Sequence, residues 1–154
     1  FRLSYETIEL RPMLESIIHR QQLKSNSNAI IHLQMEEDIS IRADRTHLSN
    51  MISNLSDNAE KYSEGKAEIE IKCQATETTC QIKVTDKGIG IPLDKQPYLF
   101  NKFYRVPTGN RHDVKGYGLG LYYVKTMAEL HGGSIHVESS PGKGSTFTLE
   151  IPLK

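Results

Sequence analysis

Three polar residues, Asn54, Asn58 and Lys61, are spaced so that one helical face would carry them all. At ~100° per residue, positions i, i+4 and i+7 fall close together around the axis. A carboxamide oxygen can ligate a hard cation such as magnesium, and an ammonium group can meet a phosphate. A second candidate, Asp86-x-Gly88-x-Gly90, ends an alternating stretch. Its carboxylate can accept from an exocyclic amine such as the amino group of adenine, with the glycines leaving room for the base. A third, Gly116-x-Gly118-x-Gly120, sits where a loop turns into a helix. The free N–H groups of a helix start favour an anion there. Each has a plainer explanation on its own: a solvated helix face, a turn after a strand, an isolated glycine triplet.

Other candidates carry less. Gly142-x-Gly144, followed by Ser145, Thr146 and Phe147, reads by itself as a hairpin turn. Arg105, with Lys102, Arg111 and Lys115 nearby in sequence, supplies charge of the kind that steadies a transferring phosphoryl group. Phe100, Phe103 and Tyr104 are expected to anchor their segment by packing rather than to bind a ligand. His47 and His131 fit surface or capping roles better than catalysis. The glycine triplet lacks the preceding strand that a dinucleotide fingerprint needs, and no Gly-Lys-Ser/Thr phosphate loop is present.

The elements that must position these residues follow from periodicity. A helix is predicted from about Asp44, a candidate N-cap, to Tyr62, with Leu48, Met51, Ile52, Leu55, Ala59 and Tyr62 as its apolar stripe. Before it come a short edge strand over Tyr5–Leu10 and a helix from Arg11 to about Lys24. That helix tolerates Pro12 in its first turn and turns Leu14, Ile17, Ile18 and Leu23 inward. Strands at Ala29–Met35 and Ile39–Ala43 follow. A hairpin from Ala67 to Asp86 puts Ile69, Ile71 and Cys73 on the same face as Cys80, Ile82 and Val84, around an even-length turn at Thr76–Thr78.

Between Leu93 and Lys115 only a short helical piece is expected, holding Phe100, Phe103 and Tyr104. Pro107–Asp113 reads as mobile, and so long an irregular stretch usually marks a functional lid. A helix then runs from the glycine triplet to about Leu130, stopped by His131-Gly132-Gly133. Ser134–Ser139 and Gly144–Ile151 close the chain as a strand pair. Helices and mostly antiparallel strands in this order predict an α+β fold, a two-layer α/β sandwich forming one domain over 1–154.

Composition sets the bounds. The chain has 154 residues, 37% hydrophobic and 25% charged, which suits one globular domain. Lys+Arg and Asp+Glu are both 19, so net charge points to neither nucleic acid nor an anionic membrane. No apolar run is long enough to span a bilayer. The chain opens on Phe1 without a signal-peptide pattern and reads as a segment of a longer protein. Cys73 and Cys80 lack metal-site spacing and read as small buried hydrophobes in a reducing compartment, not as a disulfide.

Taken in order, Asn54…Asn58…Lys61-Tyr62, Asp86-x-Gly88-x-Gly90, Phe100-x-x-Phe103, Gly116-x-Gly118-x-Gly120 and Gly142-x-Gly144 make a specific set. The chain resembles the catalytic, ATP-binding domain of bacterial sensor histidine kinases over nearly its whole length. The motifs match the N box, first glycine box, F box, second glycine box and a late Gly-x-Gly-Ser/Thr-x-Phe segment. The resemblance implies the Bergerat α/β sandwich, with a mixed, mostly antiparallel sheet and a mobile ATP lid at about 92–117. It implies ATP and Mg2+ as ligands, with Asn58 on the metal, Asn54 one turn earlier, and Lys61 and Tyr62 near phosphate and ribose. Asp86 would read the adenine amino group, with Gly88, Gly90, Ile91 and Thr146 around the base. Gly116, Tyr117, Gly118, Leu119, Gly120 and Leu121 would cradle the phosphates, and Arg105 would approach the γ-phosphate.

The same resemblance implies a histidine acceptor on an upstream dimerisation and phosphotransfer hairpin, a response-regulator aspartate after it, and a homodimeric parent. The parent would be anchored in the cell membrane with this domain on the cytoplasmic side and in no direct contact with lipid. Two departures matter. Hydrolases of the superfamily carry Glu where Asn54 stands, and a carboxamide cannot take a proton from water. The usual Asn after Asp86 is Lys87, whose side chain either points outward or contributes to the pocket. None of the six histidines has the acceptor context, since His19 is followed by Arg20. The segment is therefore expected to bind ATP without phosphorylating itself. The rival readings are a related serine kinase or ATPase, and a degenerate nucleotide-binding module used for protein contact.

Overall fold

The computed structural model describes residues 2–24, 28–63, 65–104 and 120–154. Strand β1 (Tyr5–Glu9) leads directly into helix α1 (Leu10–Leu23), followed by β2 (Ile30–Gln34) and β3 (Ser40–Asp44). Then come α2 (Arg45–Lys61), β4 (Glu68–Ala75), β5 (Thr79–Asp86) and a 3-10 helix at Leu93–Tyr98. Helix α3 (Gly120–Leu130) and strands β6 (Ser134–Ser140) and β7 (Gly144–Pro152) finish the chain. The main sheet has the order β2-β4-β5-β7-β6, with β2 parallel to β4 and the other pairs antiparallel. β1 and β3 form a separate antiparallel pair.

Alternation decides which face of the sheet is covered. Ile69, Ile71 and Cys73 on β4, Cys80, Ile82 and Val84 on β5, and Phe147, Leu149 and Ile151 on β7 are all buried. Their neighbours in sequence stay at least partly exposed. All three helices pack on the buried face: α1 against β2, α2 against β4 and β5, α3 against β6 and β7. The expected α/β sandwich is therefore present. Each fully buried Leu or Ile in this core contributes about 1.5–3 kcal/mol of transfer free energy. The predicted hairpin register holds, with Cys73 opposite Ile82 and Cys80 opposite Ala75. Both thiols are free and buried, and burial pushes them up to about 12 and about 11 respectively.

Three expectations are corrected. Leu23 is 69% exposed, and the inner side of α1 is instead Leu10, Met13, Leu14, Ile17 and Gln21. That stripe keeps the 3.6-residue period, and Leu23 lies off it. The short helical piece of the lid falls at Leu93–Tyr98, ahead of Phe100, Phe103 and Tyr104. Pro97 lacks the N–H that an α ladder needs, and the chain runs on through i→i+3 bonds such as Leu99 N–H to the Gln96 carbonyl at 3.2 Å. Of the three aromatics, Phe100 meets Phe147 edge-on at 6.4 Å and Tyr104 meets Tyr98 at 5.9 Å. Phe103 does not pack inward; it is 63% exposed with φ 68°.

Candidate active site

Helix α2 is the spine of the site. Asp44 caps it, accepting from the His47 N–H at 3.1 Å, and Leu48, Met51, Ile52, Leu55 and Ala59 bury its inner stripe. Asn54 and Asn58 stand half-buried on the neighbouring face, Lys61 is exposed, and Tyr62 closes the helix against the core. Two other segments reach this face. At the C-terminal end, the Tyr62 carbonyl accepts from the Ile89 N–H at 3.0 Å. Earlier on the helix, Asn54 meets the start of α3: a Cβ on Gly120 would stand 3.0 Å from Asn54 Oδ1.

The Asp86 turn is clamped from both sides. A Cβ on Gly88 would lie 2.2 Å from the Tyr62 carbonyl oxygen, so glycine lets the turn press onto the end of α2. Gly90 has φ +71°, and its Cβ would lie 1.9 Å from the Ser140 carbonyl oxygen. These glycines thus have packing work of their own, beyond leaving room for a base. On the far side, Gly142 N–H reaches the Ile89 carbonyl at 2.7 Å and Ile91 N–H reaches Ser139 Oγ at 2.8 Å. Gln96 Nε2 donates to the Ile91 and Ser139 carbonyls at 2.9 and 3.0 Å, tying the 3-10 helix to the same turn.

Inside this clamp the Asp86 carboxylate is only 5% exposed. Its Oδ1 accepts from the Gly88 N–H at 2.9 Å. Burial raises its pKa, and backbone hydrogen bonds from Gly88 and Ser145 only partly oppose that. Among the described residues no cation pairs with it. A carboxylate offers about four acceptor positions, so this one keeps capacity for a donor brought by a ligand. Of the two readings of Lys87, the structure has the outward one: its Nζ donates to Glu68 Oε2 at 3.0 Å.

Thr146 is the site residue that the register moves. It pairs with Thr85 and Glu138, and its hydroxyl lies 3.0 Å from Thr85 Oγ1, on the solvent face of the sheet. Successive side chains on a strand point to opposite faces, so the buried neighbour beside Asp86 is Ser145. Ser145 Oγ lies 2.7 Å from Ser139 Oγ. Counting back from inward-facing Phe147 would have found it. Gln96 and Ser139 had no comparable signal, because both act through chain segments far apart in sequence. Ile91 is buried, and Leu121 packs on the core beside Gly120. Arg105, Gly116, Tyr117, Gly118 and Leu119, with Pro107–Asp113, lie outside the described residues.

A five-stranded, mostly antiparallel sheet under three helices, with an Asn-bearing helix touching both a clamped Asp turn and a helix start, defines an ATPase-type α/β sandwich. The chain belongs to the histidine kinase-, DNA gyrase B- and HSP90-like ATPase family, whose model matches residues 43–154. It is 35% identical to the sensor protein RprX of Bacteroides fragilis over 98% of this chain and 30% of that protein. It is 39% identical to the circadian input-output histidine kinase CikA of Synechococcus elongatus over 80% of this chain and 16% of that one. The chain thus spans under a third of the length of each. Among solved structures, the catalytic domain of the histidine kinase ThkA superposes with a TM-score of 0.83 at 23% identity, covering 98% of this chain and 99% of that one. The family and the fold expected from the ordered motifs are both present. Strands β1 and β2 and helix α1 precede the matched residues. Among the described residues no helix is long and apolar enough to cross a membrane.

Proposed function

We propose that this chain is the ATP-binding catalytic domain of a sensor histidine kinase. It binds Mg-ATP and passes the γ-phosphoryl group to a histidine on a dimerisation hairpin elsewhere in the parent, for relay to a response-regulator aspartate. The observation that carries this is the buried Asp86 carboxylate, oriented by the Gly88 N–H and clamped against the end of α2. Such a group suits the amino group of adenine, a donor that satisfies the carboxylate without a counter-charge.

Asn58 and Asn54 offer carboxamide oxygens rather than a cage of carboxylates, a donor set that fits magnesium arriving with the phosphates. When bound, the metal neutralises phosphate charge during transfer. The residues of the chain hold and orient the nucleotide. Lys61 and Tyr62 would contact phosphate and ribose and Ile91 the base, and the motif match assigns Arg105 and the residues from Gly116 to Leu121 to the triphosphate. Asn54 cannot act as a base toward water, which favours transfer to a protein nucleophile over hydrolysis. His47 and His131 are engaged in hydrogen bonds within the domain, and His19 is followed by Arg20 rather than by the acidic residue of an acceptor signature. The parent is read as a membrane-anchored homodimer with this domain in the cytoplasm.

The test is phosphotransfer by the full-length parent. An acid-labile phosphohistidine should form with Mg-ATP and be lost in the Asp86→Asn variant. Steady release of inorganic phosphate without phosphohistidine would contradict the assignment.

A further inference from the structure

Helices α2 and α3 pack against each other, and two of their contacts stand out, only one of which belongs to the motifs above. The first is Asn54 against Gly120. The second lies one turn further along α3, where the Tyr123 hydroxyl is 2.5 Å from His47 Nδ1, the rings inclined at 43° with centroids 5.9 Å apart. On α2 the residues His47, Asn50 and Asn54 follow at i, i+3 and i+7, a single face. Asn54 Nδ2 in turn donates to the Asn50 carbonyl at 2.8 Å, which orients its carboxamide toward Gly120.

We propose that Tyr123 is a positioning residue whose hydroxyl, bonded to His47, steadies the start of α3 so that its first turn bears on Asn54. Val124, Met127 and Ala128 seat α3 on the core, and the Tyr123 hydroxyl adds a polar tie to α2 one turn away from Gly120. A phenol can both donate and accept, so the Tyr123 hydroxyl and His47 Nδ1 satisfy each other through one hydrogen bond. Burial raises the Tyr123 pKa, which keeps the hydroxyl a neutral donor. The inference rests on the proposed Mg-ATP reading, because the first turn of α3 is the part assigned to the phosphates. A phenylalanine at position 123 would keep the ring and remove only the latch.

The test compares Mg-ATP with adenosine, which has the base and ribose but no phosphate, by calorimetry and NMR titration of this chain. In Tyr123→Phe, Mg-ATP should bind about threefold to tenfold more weakly, the worth of one hydrogen bond, while adenosine binding is unchanged. In an Asn54→Ala background the same substitution should add little, because the latch acts through Asn54. His47→Leu should copy the selective loss. His47→Asn, which keeps an acceptor near Nδ1, should restore affinity and covers the case of a Tyr123 variant that does not fold. Unchanged Mg-ATP affinity, equal losses for both ligands, or full additivity with Asn54→Ala would overturn the proposal. Failure of the unaltered chain to bind Mg-ATP would instead refute the function assigned above.

Discussion

Asp44 and Asp86 stand at opposite ends of α2 and differ in what the fold does with them. Each ends a strand and is almost equally buried, at 8% and 5% exposure, and each accepts backbone N–H groups. Burial pushes both carboxyls up. At Asp44 the N–H groups of Ser4 and His47, followed by the nearby His47 and His131 side chains, outweigh it and hold the pKa below its ordinary 3.8. At Asp86 the bonds from Gly88 and Ser145 do not outweigh it, and the pKa stays raised. Asp44 also sits at the positive end of a helix, whereas the Asp86 turn lies against the carbonyl end. A carboxylate whose needs are met inside the chain holds the fold together. One left under-satisfied costs stability and is ready for a ligand.

The contrast breaks most completely if the Asp86 clamp cannot close. Gly90→Ala places a Cβ against the Ser140 backbone at a positive φ and should cost about 3 kcal/mol in urea unfolding. Gly65, also at positive φ but with nothing within 4 Å of its Cβ, should cost far less when replaced by alanine.

Asp44→Ala tests the structural end. Loss of the cap and of the Ser4 partner should destabilise by about 2 kcal/mol at neutral pH. Because the folded pKa is lowered, this contribution is present above the ordinary 3.8 and is lost as pH falls through the folded value. Unfolding curves of Asp44→Ala and the unaltered chain should therefore converge in acid. Asp86 has the opposite sign. Its raised pKa gives a contribution present below 3.8 and lost as pH rises through the folded value, so Asp86→Asn should gain on the unaltered chain over that window.

The smallest effect comes from the middle of α2. Ser56 is buried, and among the described residues its hydroxyl has no partner. Ser56→Ala should raise stability by about 1 kcal/mol or less, read from the denaturant midpoint. A loss would mean that the hydroxyl has a role in the core.

Much of this was legible in the chain because the relevant signals are local. The cap at Asp44, the stripe on α2 and the hairpin register around Cys73 and Cys80 depend on periods of 3.6 and 2 and on one side-chain acceptor. The site motifs were legible as an ordered set. What escaped depends on contacts between distant segments. Gln96 to Ser139, His47 to Tyr123 and His131 Nε2 to the Asp44 N–H span too many residues for any periodicity to show. Thr146 differs in kind: the motif gave the neighbourhood, and strand alternation, available from Phe147, gives the face.

The most direct measurement sets Mg-ATP affinity by calorimetry against unfolding free energy at pH 7 for the unaltered chain and Asp86→Asn. The account predicts that affinity falls about tenfold or more, as for a hydrogen bond to a charged group, while stability is equal or higher. Unchanged affinity, or affinity and stability falling together, would contradict the assignment of Asp86 as the residue that reads the base.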